Sequence, residues 1–343
     1  MAGGNLRATV VGFGAAVIVV GLLVWVSGVD RLVATLRTAD LWLVGLVFVA
    51  TLAWLAAWGV ALRTVLDVLG VDIAVHSSFL VFSGAMFSNN VTPFGQAGGE
   101  PVTALLVSRV TDAEYETGLA AIASVDTLNF VPSITLALVG VGYYATEIAL
   151  GQNRNVLLAV GAVVVLAVAV PSAVYAAWQR RYGLEDRVID RLTPVIRWLG
   201  RVVPRLSPPS PRDIERRING FFRAIERVAA DPRGLAIALG FSALGWLAQA
   251  TGLWLAFHAI GTPVNYSLVL FAVPIGAIAG VTPLPGGVGG IEWVLATLLA
   301  AATGPAVGFG TATAAVVIFR GMVYWTPVAI GGVVMSVAGV RGR

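Results

Sequence analysis

The chain alternates long apolar stretches with short polar ones, a pattern typical of a membrane protein that crosses the bilayer several times. Several of the stretches approach the ~20 apolar residues that span a bilayer as a helix. We place six spans at about residues 9–27, 41–62, 118–145, 156–178, 234–257 and 308–338. The pattern therefore predicts an all-α fold, a polytopic helical membrane bundle.

Two further apolar stretches, residues 76–110 and 265–303, are each interrupted by a similar phrase. The first phrase runs from Val91 to Pro101 and the second from Val281 to Glu292. Each contains Val-Thr-Pro, an apolar residue, a glycine-rich turn that ends in Gly-Gly, and one glutamate. Backbone broken at membrane depth must be surrounded by protein or by a water-filled cavity, and paired breaks in two halves of a chain point to a transport site. We therefore predict two re-entrant segments.

Within the first segment, the apolar residues predict half-helices over Ser77–Phe87 and Val102–Val107, with Asn89 and Asn90 in the loop between them. In both segments a half-helix would begin after Gly-Gly, where free backbone amides could contact an anion. The residues expected to break or bend the backbone are Pro93, Gly98, Gly99, Pro283, Pro285, Gly286, Gly287, Gly289 and Gly290.

The arginines are distributed unevenly, which predicts the topology because cytoplasmic loops carry the basic excess. With cytoplasmic N- and C-termini and re-entrant segments that do not cross, 18 arginines lie inside and three outside. The chain is then one integral membrane domain, residues 1–343, in which residues 41–178 and 234–338 form an inverted-topology repeat. An arginine-rich loop, residues 179–233, connects the two halves.

Residues 212–229 within this loop keep apolar residues at helical spacing on one face and arginines on the other. Amphipathic helices of this kind lie on membrane surfaces against anionic headgroups. A linker docked under the helical bundle would give the same pattern, so both interpretations stay open.

The composition, with 58% hydrophobic and 12% charged residues, excludes several classes of function. The absence of cysteine excludes disulfides and thiolate metal sites, and the absence of lysine excludes a Walker A or Schiff-base lysine. No spacing of His, Asp or Glu predicts a metal site, and no enzyme signature is present, so we expect no cofactor and no catalysis. A net charge of +4 does not suggest nucleic acid as a partner.

Candidate chemistry is confined to polar groups at membrane depth, where a charge at a helix centre costs about 2.5–3.5 kcal/mol on insertion scales. The residues that we expect to bind substrate are Glu100, Glu292, Arg320, Asn89, Asn90, Gln96, Asp126 and Asn129. Arg320 suits a phosphate because its guanidinium is a planar fork. Two alternatives remain: Arg320 braces the fold through Glu292 or Glu100, or the glutamates carry protons.

The second phrase, Thr282 to Glu292, resembles the signature of the lysylphosphatidylglycerol synthase transmembrane-region family, the flippase-like UPF0104 membrane proteins. The residues from Asn89 to Pro101 are similar to that family's earlier motif, and the resemblance covers essentially the whole chain. It implies movement of lipids between leaflets. The bifunctional members carry a soluble aminoacyl-transfer domain after the membrane region, whereas this chain ends at Arg343, so aminoacylation is not expected.

The leading hypothesis is a lipid flippase of the plasma membrane whose partners are membrane lipids, either anionic phospholipids or isoprenoid-phosphate lipids. The protein could also form an oligomer. One alternative is an enzyme or enzyme subunit of polyprenyl-phosphate or glycolipid metabolism. Another is a secondary transporter of a small water-soluble anion.

Overall fold

A computed structural model describes residues 2–92, 96–147, 211–281 and 284–341, together with the isolated positions 165 and 172. This part of the chain contains helices and no β-strand, which confirms the all-α prediction. The helices are α1 Ala2–Ser27, α2 Val29–Arg37, α3 Leu41–Val68, α4 Val75–Val91, α5 Gln96–Thr111, α6 Tyr115–Glu147, α7 Pro211–Ala230, α8 Pro232–Ala259, α9 Tyr266–Ile278, α10 Gly290–Thr303 and α11 Phe309–Arg341. The span predicted at 156–178 and the first part of the arginine-rich loop fall outside the described residues.

Five of the described stretches are long and apolar enough to cross a membrane, and α1 with α2 would make a sixth. The five are Leu41–Val68, Tyr115–Tyr144, Pro232–Ala259, Pro285–Ala306 and Phe309–Val337. The pair α1 and α2 is bent by 86° at Gly28, whose φ is +79°. The protein is therefore a multi-pass membrane bundle, as the hydrophobic pattern predicts.

An aspartate fixes the start of each of the two central helices. Asp40 accepts a hydrogen bond from the Trp42 backbone N–H at 2.8 Å at the start of α3, and Asp231 accepts one from the Arg233 N–H at 3.0 Å at the start of α8. Such caps satisfy amides that have no partner within the helix, and Pro232 at the first turn of α8 favours the same start.

The helices α3–α6 and α8–α11 form two quartets of matching design. The first helix has 28 residues in both quartets and the last has 33. Contacts between the quartets are reciprocal, because α4 packs against α11 and α9 packs against α6. Within each quartet, the third helix packs against the fourth. Reciprocal contacts of this kind are what two units related by a two-fold axis produce.

The central pair, α3 and α8, runs antiparallel. The Asp40 N–H at the start of α3 donates to the Ala259 carbonyl at the end of α8, at 2.8 Å, and Val68 at the other end of α3 lies against Gly234. Between these ends, the Trp58 indole N–H donates to the Ser242 carbonyl at 3.1 Å. Opposite directions in these two helices are a relation that an inverted repeat requires, while the inverted repeat itself stays a prediction.

A glycine brings the last helix of each quartet against the other quartet. A Cβ at Gly140 in α6 would lie 2.8 Å from the Ser267 carbonyl of α9. In α11, Gly331 likewise packs against the Ser83 carbonyl of α4. The missing side chain lets the two backbones approach, as small residues do between membrane helices.

The amphipathic helix α7 packs against α6 with its apolar face. Ala224 and Val228 on this face are 1% and 5% exposed. Of the two interpretations of the arginine-rich loop, the structure therefore supports docking against the bundle for this helix. The part of the loop before residue 211 lies outside what the structure describes.

Candidate functional site

The second phrase leaves helical geometry as predicted. A short 3₁₀ turn, Pro285–Gly287, precedes α10, which begins at Gly290. Gly286, Gly287 and Gly289 have φ values of +59°, +65° and +87°, a region that residues with a Cβ rarely adopt. Pro283 lies outside the described residues.

Arg320 and Glu292 form a buried ion pair at this break. Arg320 Nε donates to Glu292 Oε1 at 2.8 Å, and Arg320 Nη2 donates to the Gly286 carbonyl at 3.0 Å. The second carboxylate oxygen, Glu292 Oε2, accepts from the Gly289 N–H at 2.6 Å. Glu292 is 7% exposed and Arg320 is 9% exposed. The pair therefore ties α11 to the glycine turn and to the start of α10, so Arg320 acts as the brace that the sequence left open.

This bonding changes which atoms could contact a ligand. Both oxygens of Glu292 are occupied, and the Gly289 amide, which we expected to be free for an anion, is occupied as well. Among the described residues, Arg320 Nη1 has no hydrogen-bond partner. Arg320 Nη1 is therefore the group of the pair that takes no part in the brace, and it is the candidate to contact a substrate.

The end of α4, just before the first phrase, meets α11 through Asn90 and Tyr324. The Asn90 amide donates to the Tyr324 carbonyl at 3.2 Å, and the Tyr324 hydroxyl donates to the Asn90 carbonyl at 3.1 Å. A Cβ at Gly286 would lie 2.8 Å from Asn90 Oδ1, so the end of α4 rests directly on the second glycine turn. Tyr324 was not among the predicted residues, although its position one helical turn after Arg320 places both on one face of α11.

The first phrase differs from the prediction. The loop is shorter, because Asn89 and Asn90 lie in the last turn of α4 and α5 already begins at Gln96. Gly98 and Gly99 are therefore helical, and the half-helix predicted at Val102–Val107 is only the end of a longer one. The physical reason is close packing: a Cβ at Gly99 would collide with the Asn89 side chain. Pro93 and the side chain of Gln96 lie outside the described residues.

Three polar side chains at this first phrase are here called the acidic site: Glu100, Asp126 and Asn89. Asp126 Oδ2 and Asn89 Oδ1 are buried without a hydrogen-bond partner in the described structure. Glu100 is half-buried on α5, which packs against α6, the helix that carries Asp126. The two backbones lie close together, since a Cβ at Gly118 of α6 would be 2.9 Å from the Ala104 carbonyl of α5. Unlike the Arg320–Glu292 pair, this site brings together two groups of the same charge.

Asn129 accepts two hydrogen bonds from α8. The Ser242 hydroxyl donates to Asn129 Oδ1 at 2.5 Å, and the Trp246 indole N–H donates to the Asn129 carbonyl at 3.0 Å. These bonds connect α6 to α8, just as the Asn90 bonds connect α4 to α11. The side-chain oxygen of Asn129 already accepts a hydrogen bond.

Comparison with known proteins gives a consistent result. The family model for the lysylphosphatidylglycerol synthase TM region matches residues 11–331. A UPF0104 membrane protein of Methanothermobacter thermautotrophicus is 26% identical, with 93% of each chain covered. A UPF0104 membrane protein of Pyrococcus horikoshii is 23% identical, with 92% of each chain covered. The family match includes both phrases and nearly all of both quartets.

Proposed function

The chain belongs to the family of the lysylphosphatidylglycerol synthase TM region, and from this premise we propose that it moves a lipid with a charged or phosphate-bearing headgroup between membrane leaflets. The headgroup would pass between the two interrupted segments while the hydrocarbon chains stay in the bilayer. The protein would act in the plasma membrane with both termini in the cytoplasm.

The observation that carries the proposal is the position of Arg320 at the broken backbone. A buried ion pair is a poor source of stability, since apolar residues of similar volume often stabilise a core as well or better. An ionisable residue inside a membrane span is by default a candidate for function. Arg320 keeps Nη1 free of hydrogen bonds to the described residues while its other groups hold it in place. A headgroup phosphate could bind to this positioned cation.

The paired quartets support the same proposal. Transporters built from inverted repeats place the substrate between discontinuous helices and alternate their access by rocking one repeat against the other. Here α3 and α8 are antiparallel, contacts between the quartets are reciprocal, and Asn90, the residue before the first phrase, touches Gly286 of the second phrase. The site between the phrases therefore lies where such a motion would open it alternately to each side.

The experiment is a leaflet-translocation assay in proteoliposomes with fluorescent phosphatidylglycerol and polyprenyl-phosphate analogues. The informative variant is the double substitution Arg320→Gln with Glu292→Gln, because it removes both charges together and leaves no lone buried charge. We expect it to remain folded but to translocate at least about tenfold more slowly, since a hydrogen bond to a charged group contributes ~1.5–3 kcal/mol.

Arg63→Lys is the matched control, because Arg63 donates to the Ile73 carbonyl at the end of α3, away from both phrases. It should translocate at the wild-type rate. Wild-type translocation by the folded double variant would contradict the assignment of the headgroup site. Uptake of a soluble anion without lipid movement would favour the anion transporter instead, and chemical turnover of the polyprenyl phosphate would favour the enzyme.

A further inference from the structure

The matching quartets place Asp126 where the other half has Arg320. Arg320 lies eleven residues after the first residue of the 33-residue helix α11, and Asp126 lies eleven residues after the first residue of the 33-residue helix α6. Their partners also correspond, because Glu292 and Glu100 end the two phrases. One half therefore pairs a carboxylate with a cation, whereas the other half pairs a carboxylate with a second carboxylate.

Among the described residues, the helices packed around Asp126 place no cation beside it. Arg109, the basic residue of α5, lies in the last turn of that helix, nine residues after Glu100. The helix α9 contains no acidic or basic residue, and α8 contacts α6 in this region through Ser242 and Trp246. The charged side chains of α7 lie near Glu114 and Glu116, at the start of α6 and ten or more residues before Asp126.

The helix α3 adds no positive charge here either, because its one basic residue, Arg63, is bonded to the Ile73 carbonyl. Two neighbouring carboxylates in a medium of low dielectric cannot both stay ionised without a counter-charge.

A second observation points to a ligand at the same place. Asn89 is only 9% exposed, yet its Oδ1 has no partner among the described residues. This oxygen lies against Gly99, the residue before Glu100. Buried polar atoms are almost always hydrogen-bonded or ligated. Carboxylate and amide oxygens are the ligands that small hard cations prefer.

We propose that the acidic site, Glu100, Asp126 and Asn89, binds one exchangeable monovalent cation, a sodium ion or a proton, in the role that the Arg320 guanidinium has in the other half. A divalent metal fits less well, because Ca²⁺ takes six to eight oxygen ligands and the described residues hold no group of three metal-binding side chains. The idea that this cation drives lipid movement rests on the proposed function. The idea that the acidic site binds a cation does not depend on it.

The test is the unfolding temperature of the purified full-length protein in detergent, followed by tryptophan fluorescence. Sodium chloride is compared with choline chloride at constant ionic strength, at several pH values between about 5 and 8. A ligand that binds only the folded state raises Tm as its concentration increases. A sodium site predicts a rise of about 3 °C or more with sodium at the highest pH, and a proton site predicts the same rise on acidification without sodium.

Asp126→Asn preserves the shape of the side chain and removes one of the two charges. We expect this variant to melt higher than the wild type without the cation and to lose the response to it. Glu100→Gln should behave in the same way. Asp67→Asn is the matched control, because Asp67 is exposed at the end of α3, and it should keep the full wild-type response.

A wild-type protein whose Tm responds to neither sodium nor pH would overturn the proposal, and so would a full response in Asp126→Asn. The result is independent of the translocation assay. A cation response in a protein that moves no lipid would leave the ion site standing and contradict the flippase. Lipid movement by a protein whose Tm does not respond to a cation would leave the flippase standing and contradict the ion site.

Discussion

At the scale of single residues, the main feature is that Arg320 and Glu292 depend on each other. Arg320 Nε and Nη2 bond to Glu292 and to the Gly286 carbonyl, and Glu292 also accepts from the Gly289 N–H. Removing one partner of a buried pair leaves an uncompensated charge, whereas removing both is often neutral. The stability contributed by this pair is therefore strongly non-additive.

We predict that Arg320→Ala destabilises the protein by about 3–5 kcal/mol, and that adding Glu292→Gln recovers much of the loss. The measurement is the free energy of reversible unfolding in detergent, compared among the wild type, both single variants and the double variant. Equal and additive losses in the two single variants would contradict the brace.

The sequence predicted which residues carry charge at membrane depth and left open whether Arg320 pairs with Glu292 or with Glu100. It identified Glu100, Asp126, Glu292 and Arg320 because such residues are costly in an apolar span. The equivalence of Asp126 and Arg320 could not be predicted, because it depends on where α6 and α11 begin, and helix boundaries are the weakest part of a sequence prediction. The structure supplied those boundaries.

At the scale of helices, two similar phrases form different local structures. The glycines of the second phrase adopt positive φ, whereas Gly99 is helical and makes room for Asn89. Glycine can adopt positive φ and can also make room for a neighbouring side chain, because it has no Cβ. The sequence predicted a backbone break in both phrases, and the structure differs at the first because packing between α4 and α5 decides its conformation.

Gly140 and Gly142 offer a matched test of close packing between helices. A methyl group at Gly140 would meet the Ser267 carbonyl at 2.8 Å and Leu270 Cβ at 2.9 Å, so α6 and α9 would have to separate. Gly142, two residues further along and on the opposite side of α6, has no atom within 4 Å of the position that its own Cβ would take. We predict that Gly140→Ala costs about 1–3 kcal/mol, while Gly142→Ala is neutral or stabilises by about 0.5–1 kcal/mol.

Thermal unfolding of the two purified variants gives the comparison. Equal melting temperatures for both would show that α6 and α9 do not depend on this contact.

At the scale of the whole molecule, the antiparallel pair α3 and α8 determines which chain ends share a side of the membrane. The end of α3 near Asp67 lies beside the start of α8 near Arg233, and the start of α3 near Thr38 lies beside the end of α8 near Thr262. The arginine count predicts that the first two positions face the cytoplasm.

The natural absence of cysteine makes this topology directly measurable. We expect single cysteines at Asp67 and Arg233 to react with a membrane-impermeant maleimide only after the cells are opened. Single cysteines at Thr38 and Thr262 should react in intact cells. Labelling of Asp67→Cys and Thr38→Cys from the same side would contradict the spanning assignment of α3.

The unequal charges of the two quartets have a consequence for direction. Exchanging the roles of two identical inverted halves would convert an inward-facing protein into an outward-facing one of the same energy. Here one half holds a fixed counter-ion, Arg320, and the other holds Asp126 at the matching position, so the exchange is not energetically neutral. For the lipid carrier that we propose, this asymmetry predicts a built-in resting orientation, and occupancy of the proposed cation site would adjust how strongly that orientation is preferred.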